Sequence, residues 1–432
     1  MNKSIHYLWK NDLLRFQKLS TTAGEEITII DRGTEEIDKN IFSGAKIKIG
    51  DKIWAGDIVL HKKSSDWESE IQKKRSLYNN VILHVTMQND CEALRQHGEA
   101  VEQIEINCPP SLEKEMHEAF EEHSNRLPCR EAISSLEDIK LHSIFSRLLI
   151  ERIEEKVANI ERVLKSCEER WEETLFKTII RSFGFGIQSI TFEEFASIID
   201  FQALGKHRDN IIQIEAIFFG QAGLLEEEAI PYYYREEAKN NAYYNELIRE
   251  YKFLSNKFKL QSMDYRSWGG SSATPHVRIA RLASLYYSKN VSISNISACN
   301  TLTDLSKIID TPLHGYWYNH TCFGGTETCG NGRIKQKQSD VIIINAIVPI
   351  LYVYGKHRSN QQLCEKAEDY LHELKREENS IIKRWEESGI TVNCAADSQA
   401  LLQLNKRYCA TNNCINCKFA YHYIKTRLKE AI

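Results

Sequence analysis

The chain has 432 residues, 42% of them hydrophobic and 27% charged, with a formal net charge of −4. This length supports two or three domains with cores of their own, and the composition excludes a disordered or fibrous chain. The slightly acidic balance excludes a globally basic nucleic-acid coat, so polynucleotide contact would have to come from a local basic groove.

The start, "MNKSIHYLWKNDLL", lacks the long apolar core and small-residue cleavage site of an export signal. A cytoplasmic protein is expected, with no membrane partner. Its twelve cysteines are then expected to be thiols or metal ligands, not a disulfide framework. Residues 1–107 read as α/β. "EEITIIDRG" (25–33) alternates like a strand. "AKIKIGDKIWAGDIVLH" (45–61) is two alternating runs about Gly50-Asp51, a hairpin signal. The polar "SSDWESEIQKKRSLY" follows, with Ser65 or Asp66 placed to cap a short helix. "NNVILHVTMQND" (79–90) is nearly continuous apolar sequence, which predicts a central strand buried on both faces. "AVEQIEINC" (100–108) alternates again.

Cys108-Pro109-Pro110 closes the strand-rich part, and from 111 the periodicity is helical. In "EEKVANIERVLKSCEERWEETLFKTIIRSFG", Val157, Ile160, Leu164, Cys167, Trp171, Leu175 and Ile179 share one face of a single predicted helix that Gly184 ends. "NAYYNELIREYKFLSNKF" and "NQQLCEKAEDYLHELKREENSIIKRWEESG" repeat the amphipathic pattern. Thr274-Pro275 starts a helix over "HVRIARLASLYY". "VIIINAIVPILYVYG" (341–355) is too short to span a bilayer and carries Asn345 and Pro349, so it reads as a buried element.

These segments, taken in order from "IHYLWK" through "YNNVILHVTMQND", "IEAIFFGQAGLL", "PHVRIARLASL" and "NCAADSQALLQL" to "YCATNNCINC", resemble the bacterial domain-of-unknown-function 2851 family almost end to end. The N-terminal part of that family is similar to the PD-(D/E)XK nuclease fold. The resemblance implies a hairpin with an Asp on one strand, and a Glu followed two residues later by a Lys or substitute on the next. A hard divalent cation wants the carboxylates, and the third group positions the attacking water. The family pattern is close to "GPDF" before the first hairpin strand and "VEIH" at the end of the second. This chain has "KNIFSGAKI", with Asn40 or Ile41 near the expected Asp, and "IVLH", with Val59 in place of Glu. Both acids are missing, which argues against tight Mg²⁺ or Mn²⁺ binding. Asp57, Val59, His61 and Lys63 share a face by period two. The candidate catalytic residues are therefore Asp57, His61, Lys63 and Asp66, with Asp38 reaching from the preceding loop; the competing reading is the solvent face of a hairpin.

Lys62, Lys73, Lys74 and Arg75 form a basic patch beside the hairpin that suits a phosphodiester backbone. Arg278 and Arg281, near a helix N-terminus, are candidate phosphate ligands. Against this, the arginine-containing "RPANFP" of the family is "GGSSATP" here, and a salt-bridged helix face explains both arginines as well. His320 and Cys322, in a glycine-rich loop, form at most a weak nucleophile pair with no orienting third group. Cys409, Cys414 and Cys417 follow C-x4-C-x2-C, a spacing that suits zinc or an iron–sulfur cluster. Cys129, Cys394 or His422 would complete the set. Cys129 with the late trio resembles the one-early, three-late cysteine pattern of some PD-(D/E)XK nucleases that hold an iron–sulfur cluster.

The expectation is an α+β protein: a small nuclease-like α/β domain with a mixed sheet (1–125), then a large, mainly helical part (126–432) ending in the cysteine cluster. The expected function is a divergent, catalytically impaired PD-(D/E)XK-related protein that binds nucleic acid. The alternative is a non-enzymatic protein-interaction scaffold, with a protein partner.

Overall fold

The computed structural model describes residues 3–36, 40–71, 78–95, 97–122, 128–129, 136–185, 188–269, 275–326 and 332–430. The chain is α+β, as the sequence pattern predicts. It divides into a sheet unit (residues 1–148, 378–392 and 400–432) and a helical unit (149–377 and 393–399).

In the sheet unit, α1 (Lys3–Lys10) precedes β1 (Ile27–Asp31), β2 (Thr34–Glu35), β3 (Ile41–Ile49) and β4 (Lys52–Lys63). Then come α2 (Asp66–Ile71), β5 (Val81–Gln88), β6 (Gln103–Glu105) and α3 (Pro110–Phe120). The spatial order is β1-β3-β4-β5-β6, with β2 beside β3. β1, β3 and β4 are antiparallel, whereas β4–β5 and β5–β6 are parallel. The hairpin forms where the sequence places it: Ile49 pairs Lys52, and Gly50 turns the chain at φ 54°, open to glycine without steric cost. β5 lies between two strands, with Val81, Leu83 and Val85 fully buried. The C-terminal helix belongs to this unit, and its Tyr423 hydroxyl donates to Glu115 of α3 at 2.7 Å.

Neither predicted cap of α2 acts on that helix. Ser65 donates from both amide and hydroxyl to the Asp90 carboxylate, and the Asp66 carboxylate accepts from the Lys63 amide.

The helical unit carries one correction. The single helix predicted across 154–184 is two: α4 (Asp138–Ser166), whose residues up to Leu148 are counted in the sheet unit, and α5 (Trp171–Ser182). Glu168 and Glu169 between them have φ of 53° and 61°, so the chain turns through two left-handed residues. Neither is glycine or asparagine, so no turn residue signalled the break. The unit continues with α6 (Phe201–Lys206), α7 (Ile211–Gln221), α8 (Ala242–Phe258) and α9 (His276–Ser288). Asp200, Asn210 and Asn241 cap α6, α7 and α8 with side-chain carbonyl or carboxylate oxygens.

The apolar run 341–355 sits in a longer helix, α10 (Gln336–His357). By length and composition alone α10 could cross a membrane, but 67% of its most apolar window is buried inside the protein. Its turn at Ile343–Ile347 is π-helical. Pro349 explains this, since it has no amide to donate and its ring crowds the carbonyl one turn back. The Ile344 carbonyl instead accepts from the Lys156 ammonium at 3.0 Å.

Candidate functional site

Val59 lies in a row of residues that runs across one face of the sheet. Ile41 pairs Val59 across β3–β4, Val59 pairs His84 across β4–β5, and His84 pairs Gln103 across β5–β6. Four neighbouring strands thus contribute one residue each to a continuous row. Ile41 and Val59 are direct cross-strand neighbours, whereas Asn40, the other position weighed for the first acid, donates its side-chain amide to Glu70. Directly opposed residues have Cβ atoms only about 5 Å apart, the proximity two ligands of one ion need. Here both side chains are apolar, 4% and 0% exposed, and they join Trp67, Tyr78, Val81, Ala93 and Val101 in one apolar cluster. The Ile41–Val59 end of the row offers no oxygen ligand for a hard cation and is packed as apolar core.

The polar half of the row forms a chain. His61, two residues beyond Val59, places Nδ1 3.0 Å from His84 Nε2. His84 Nδ1 lies 3.5 Å from Gln103 Nε2. On the other side His61 Nε2 faces the Glu70 carboxylate at 3.4 Å. Glu70 also accepts from the Tyr78 hydroxyl at 2.6 Å and the Asn40 amide at 3.0 Å. One proton arrangement suits the chain: Gln103 donates to His84 and His84 donates to His61, which leaves the His61 Nε2–H facing Glu70 as a charge contact without hydrogen-bond geometry. Burial, with His61 as a second factor, holds the His84 imidazole down at about 3. Burial also lowers His61, against the opposing pull of Glu70 and Asp66. Both rings are therefore neutral at pH 7, and the chain is a directional hydrogen-bond network.

Of the predicted catalytic residues, Asp66 acts on His61 through its charge and accepts the Lys63 backbone amide at 3.2 Å. The Asp57 carboxylate is engaged by the Gly44 amide at 3.2 Å and the Asn80 amide at 3.4 Å. It braces the strand irregularities on either side of β4, between Phe42 and Ala45 and at Val81–Leu83. Lys63 is exposed, and Lys62 pairs with Glu113 at 2.8 Å. Lys73, Lys74, Arg75 and Asp38 lie outside the described residues. Arg278 donates to the Phe183 carbonyl and the Gln188 side chain, and lies over the Phe192 ring. Arg281 is buried and donates to the carbonyls of Thr311 and Gly332. Both arginines tie backbone segments together. His320 stacks on Tyr316 with ring centres 3.6 Å apart and bonds its carbonyl through Nδ1.

Sequence reasoning missed Glu70, His84 and Gln103. A signal existed for His84: a histidine inside an otherwise apolar buried strand must find a partner. Nothing local marks Glu70, whose role arises only when α2 lies over the sheet.

The cysteines do gather. The thiols of Cys417, Cys414 and Cys409 all act electrostatically on Cys129, which with burial pushes its pKa far above the ordinary thiol value. Burial likewise pushes Cys417 up to about 12. His422 instead has Lys425, Lys140 and Lys418 as its charged neighbours. Of the three sequence candidates, Cys129 is thus the one whose thiol feels the trio. Still, among the described residues no group of three or more His, Cys, Asp or Glu is placed to hold a single metal ion. In a four-iron cluster each thiolate binds a different iron, which asks for wider spacing than one ion does.

Beside Cys417 opens a cleft of about 250 Å³ in the sheet unit, lined by Lys3, Lys10, Arg147, Lys418 and Glu35 among others. Glu35 pairs with Lys10 and lies 3.6 Å from His6 Nδ1. Four cations against one carboxylate leave the cleft positive, whereas the chain as a whole is acidic.

Residues 2–380 match the model of a family described as "Protein of unknown function (DUF2851)", so the chain belongs to that family. The match includes the sheet row and Cys129, and ends before the three late cysteines. No curated protein and no solved structure matches the chain significantly.

Proposed function

We propose that this protein is a divergent, catalytically impaired relative of the PD-(D/E)XK nucleases that binds nucleic acid without cutting it. The observation that carries the reading is the Ile41–Val59 pair. The two acid positions remain neighbours across the hairpin, but both have become apolar and sealed. Losing both ligands together removes the metal and leaves the strand geometry intact. The Glu70–His61–His84–Gln103 chain then serves as a structural brace, linking α2 to three strands.

The positive cleft lined by Lys3, Lys10, Arg147 and Lys418 supports binding, because phosphate contacts need local cations and not a basic protein. We assign the adjoining cysteines, Cys129, Cys409, Cys414 and Cys417, to a structural iron–sulfur or zinc centre. Such a centre would tie the C-terminal segment to the sheet unit.

Gel-shift titration with single-stranded DNA, duplex DNA and RNA tests the reading. Binding should weaken steeply with salt, and Lys10→Ala and Lys418→Ala should each reduce the salt slope by about one. Mn²⁺ should yield no cleavage. Absence of binding to every polynucleotide at low salt refutes the proposal. The scaffold reading would then gain from the neighbouring Tyr232 and Tyr233, which are 82% and 74% exposed on the helical unit.

A further inference from the structure

The helical unit holds a second cavity, of about 470 Å³, remote in sequence from the sheet row and lined from Arg170 to Val291. Small-molecule pockets span roughly 300–1,000 Å³. One wall is aromatic: Phe176, Phe201 and Tyr286 pack edge to face, with ring centres 5.0 to 6.1 Å apart. Trp171 lines the cavity too, and its ring is fixed by Tyr354 and His357, each with its centre about 5 Å away.

The charges are arranged unequally. Glu173 is neutralised by Arg170 at 3.2 Å and Lys177 at 2.9 Å. Glu172 accepts the Ile293 amide on both oxygens, at 3.1 and 3.3 Å. Arg208 differs. Its guanidinium lies 5.1 Å over the Tyr286 ring, and its buried Nε has no hydrogen-bond partner among the described residues. That Nε is closed to any ligand, but stacking on an aromatic ring leaves the terminal amino groups of the planar fork available to an anion, and among the described residues they make no hydrogen bond or ion pair.

We propose that this cavity binds a nucleotide, with the base against the aromatic wall and the phosphate on Arg208. A planar base matches the flat rings, a phosphate matches the donor fork of arginine, and the volume leaves room for the sugar between them. The proposal concerns a different unit from the positive cleft and does not rest on the reading given above. The nucleotide is either a free nucleoside monophosphate or the phosphorylated end of a polynucleotide.

The test is calorimetric titration of the full-length protein with AMP, GMP, CMP and UMP, with adenosine, with inorganic phosphate, and with a short 5′-phosphorylated oligonucleotide. Two variants accompany it. Arg208→Gln removes the anion contact. Gln202→Trp places bulk at the exposed rim of the cavity and leaves the core untouched. The expected result is binding of at least one monophosphate, weakened about tenfold or more by Arg208→Gln and abolished by Gln202→Trp, with adenosine and phosphate alone much weaker. Binding of the oligonucleotide but no monophosphate, with the same losses in the variants, supports the polynucleotide end as the source. No binding of either by the unmodified protein overturns the proposal, as does binding that neither variant weakens.

Discussion

His84→Gln tests whether the buried imidazole chain sets the acid stability of the sheet unit. His84 is fully buried, and its pKa is about 3 in the folded protein against 6.5 for an unperturbed histidine. The unfolded chain therefore binds a proton at mildly acid pH that the folded chain refuses. The sign follows: the stabilisation is complete above 6.5 and is lost as the pH falls from 6.5 towards 3. Each unit of difference corresponds to about 1.4 kcal/mol, so full protonation of the unfolded chain costs the fold about 5 kcal/mol across that window. Glutamine keeps a donor and an acceptor but does not titrate. At pH 7.5 it should cost about 1–3 kcal/mol, because His61 and Gln103 lose well-placed partners. Below pH 6 the variant should lose stability more slowly than the unmodified protein, and the two curves should converge. Urea unfolding at half-unit steps from pH 7.5 to 4, followed by tryptophan fluorescence, measures the slopes. Parallel curves would refute the reasoning, since they would mean that His84 contributes no proton linkage.

Glu215 works in the opposite direction. Burial raises its carboxyl to about 8 despite the Tyr243 hydroxyl it accepts at 2.8 Å, so stability is lost as the pH rises from 4.5 towards 8. Glu215→Gln should therefore raise the thermal midpoint at pH 8 and leave it nearly unchanged at pH 4.5. Lys156 is buried beside Arg152 with its pKa pushed down to about 7, and it donates to Ile344 and Gln399. Its stabilisation is complete above 10.5 and lost as the pH falls towards 7, so Lys156→Met should flatten the rise in urea midpoint between pH 7 and 10. Val59→Glu alone should destabilise by several kcal/mol, because a lone carboxyl replaces a fully buried valine. In Ile41→Asp/Val59→Glu, Mn²⁺ should recover part of the lost thermal midpoint, since the two positions are paired. No Mn²⁺-dependent gain would count against a vestigial metal site. Cys129→Ser should release iron or zinc from protein purified without oxygen, read by metal analysis and absorption; equal metal content in both proteins would remove the assignment.

Much of the sheet was legible because strand and turn patterns repeat over a few residues. Gly50-Asp51 marked the hairpin, and the apolar run at 79–90 marked the central strand. The helix across 154–184 was misread because two glutamates adopt a turn conformation that their residue type does not announce. Asp57 was misassigned for a related reason. Period two placed it with His61, but pairing shifts at Asp57–Ile58, and its carboxylate serves Gly44 and Asn80.

What the sequence determined by itself was local: which segments alternate and where the chain turns. Only the tertiary structure decided that Ile41, Val59, His84 and Gln103 form one row. That row depends on the register of three strand pairings, two of them parallel and joined through long connections. The same holds for Glu70 reaching His61, for Cys129 sharing its surroundings with cysteines 280 residues and more away, and for Arg208 stacking on Tyr286 without an acceptor. Periodicity encodes which face of an element is apolar. It carries no record of which distant element that face will meet, and the chemistry of this protein resides in those meetings.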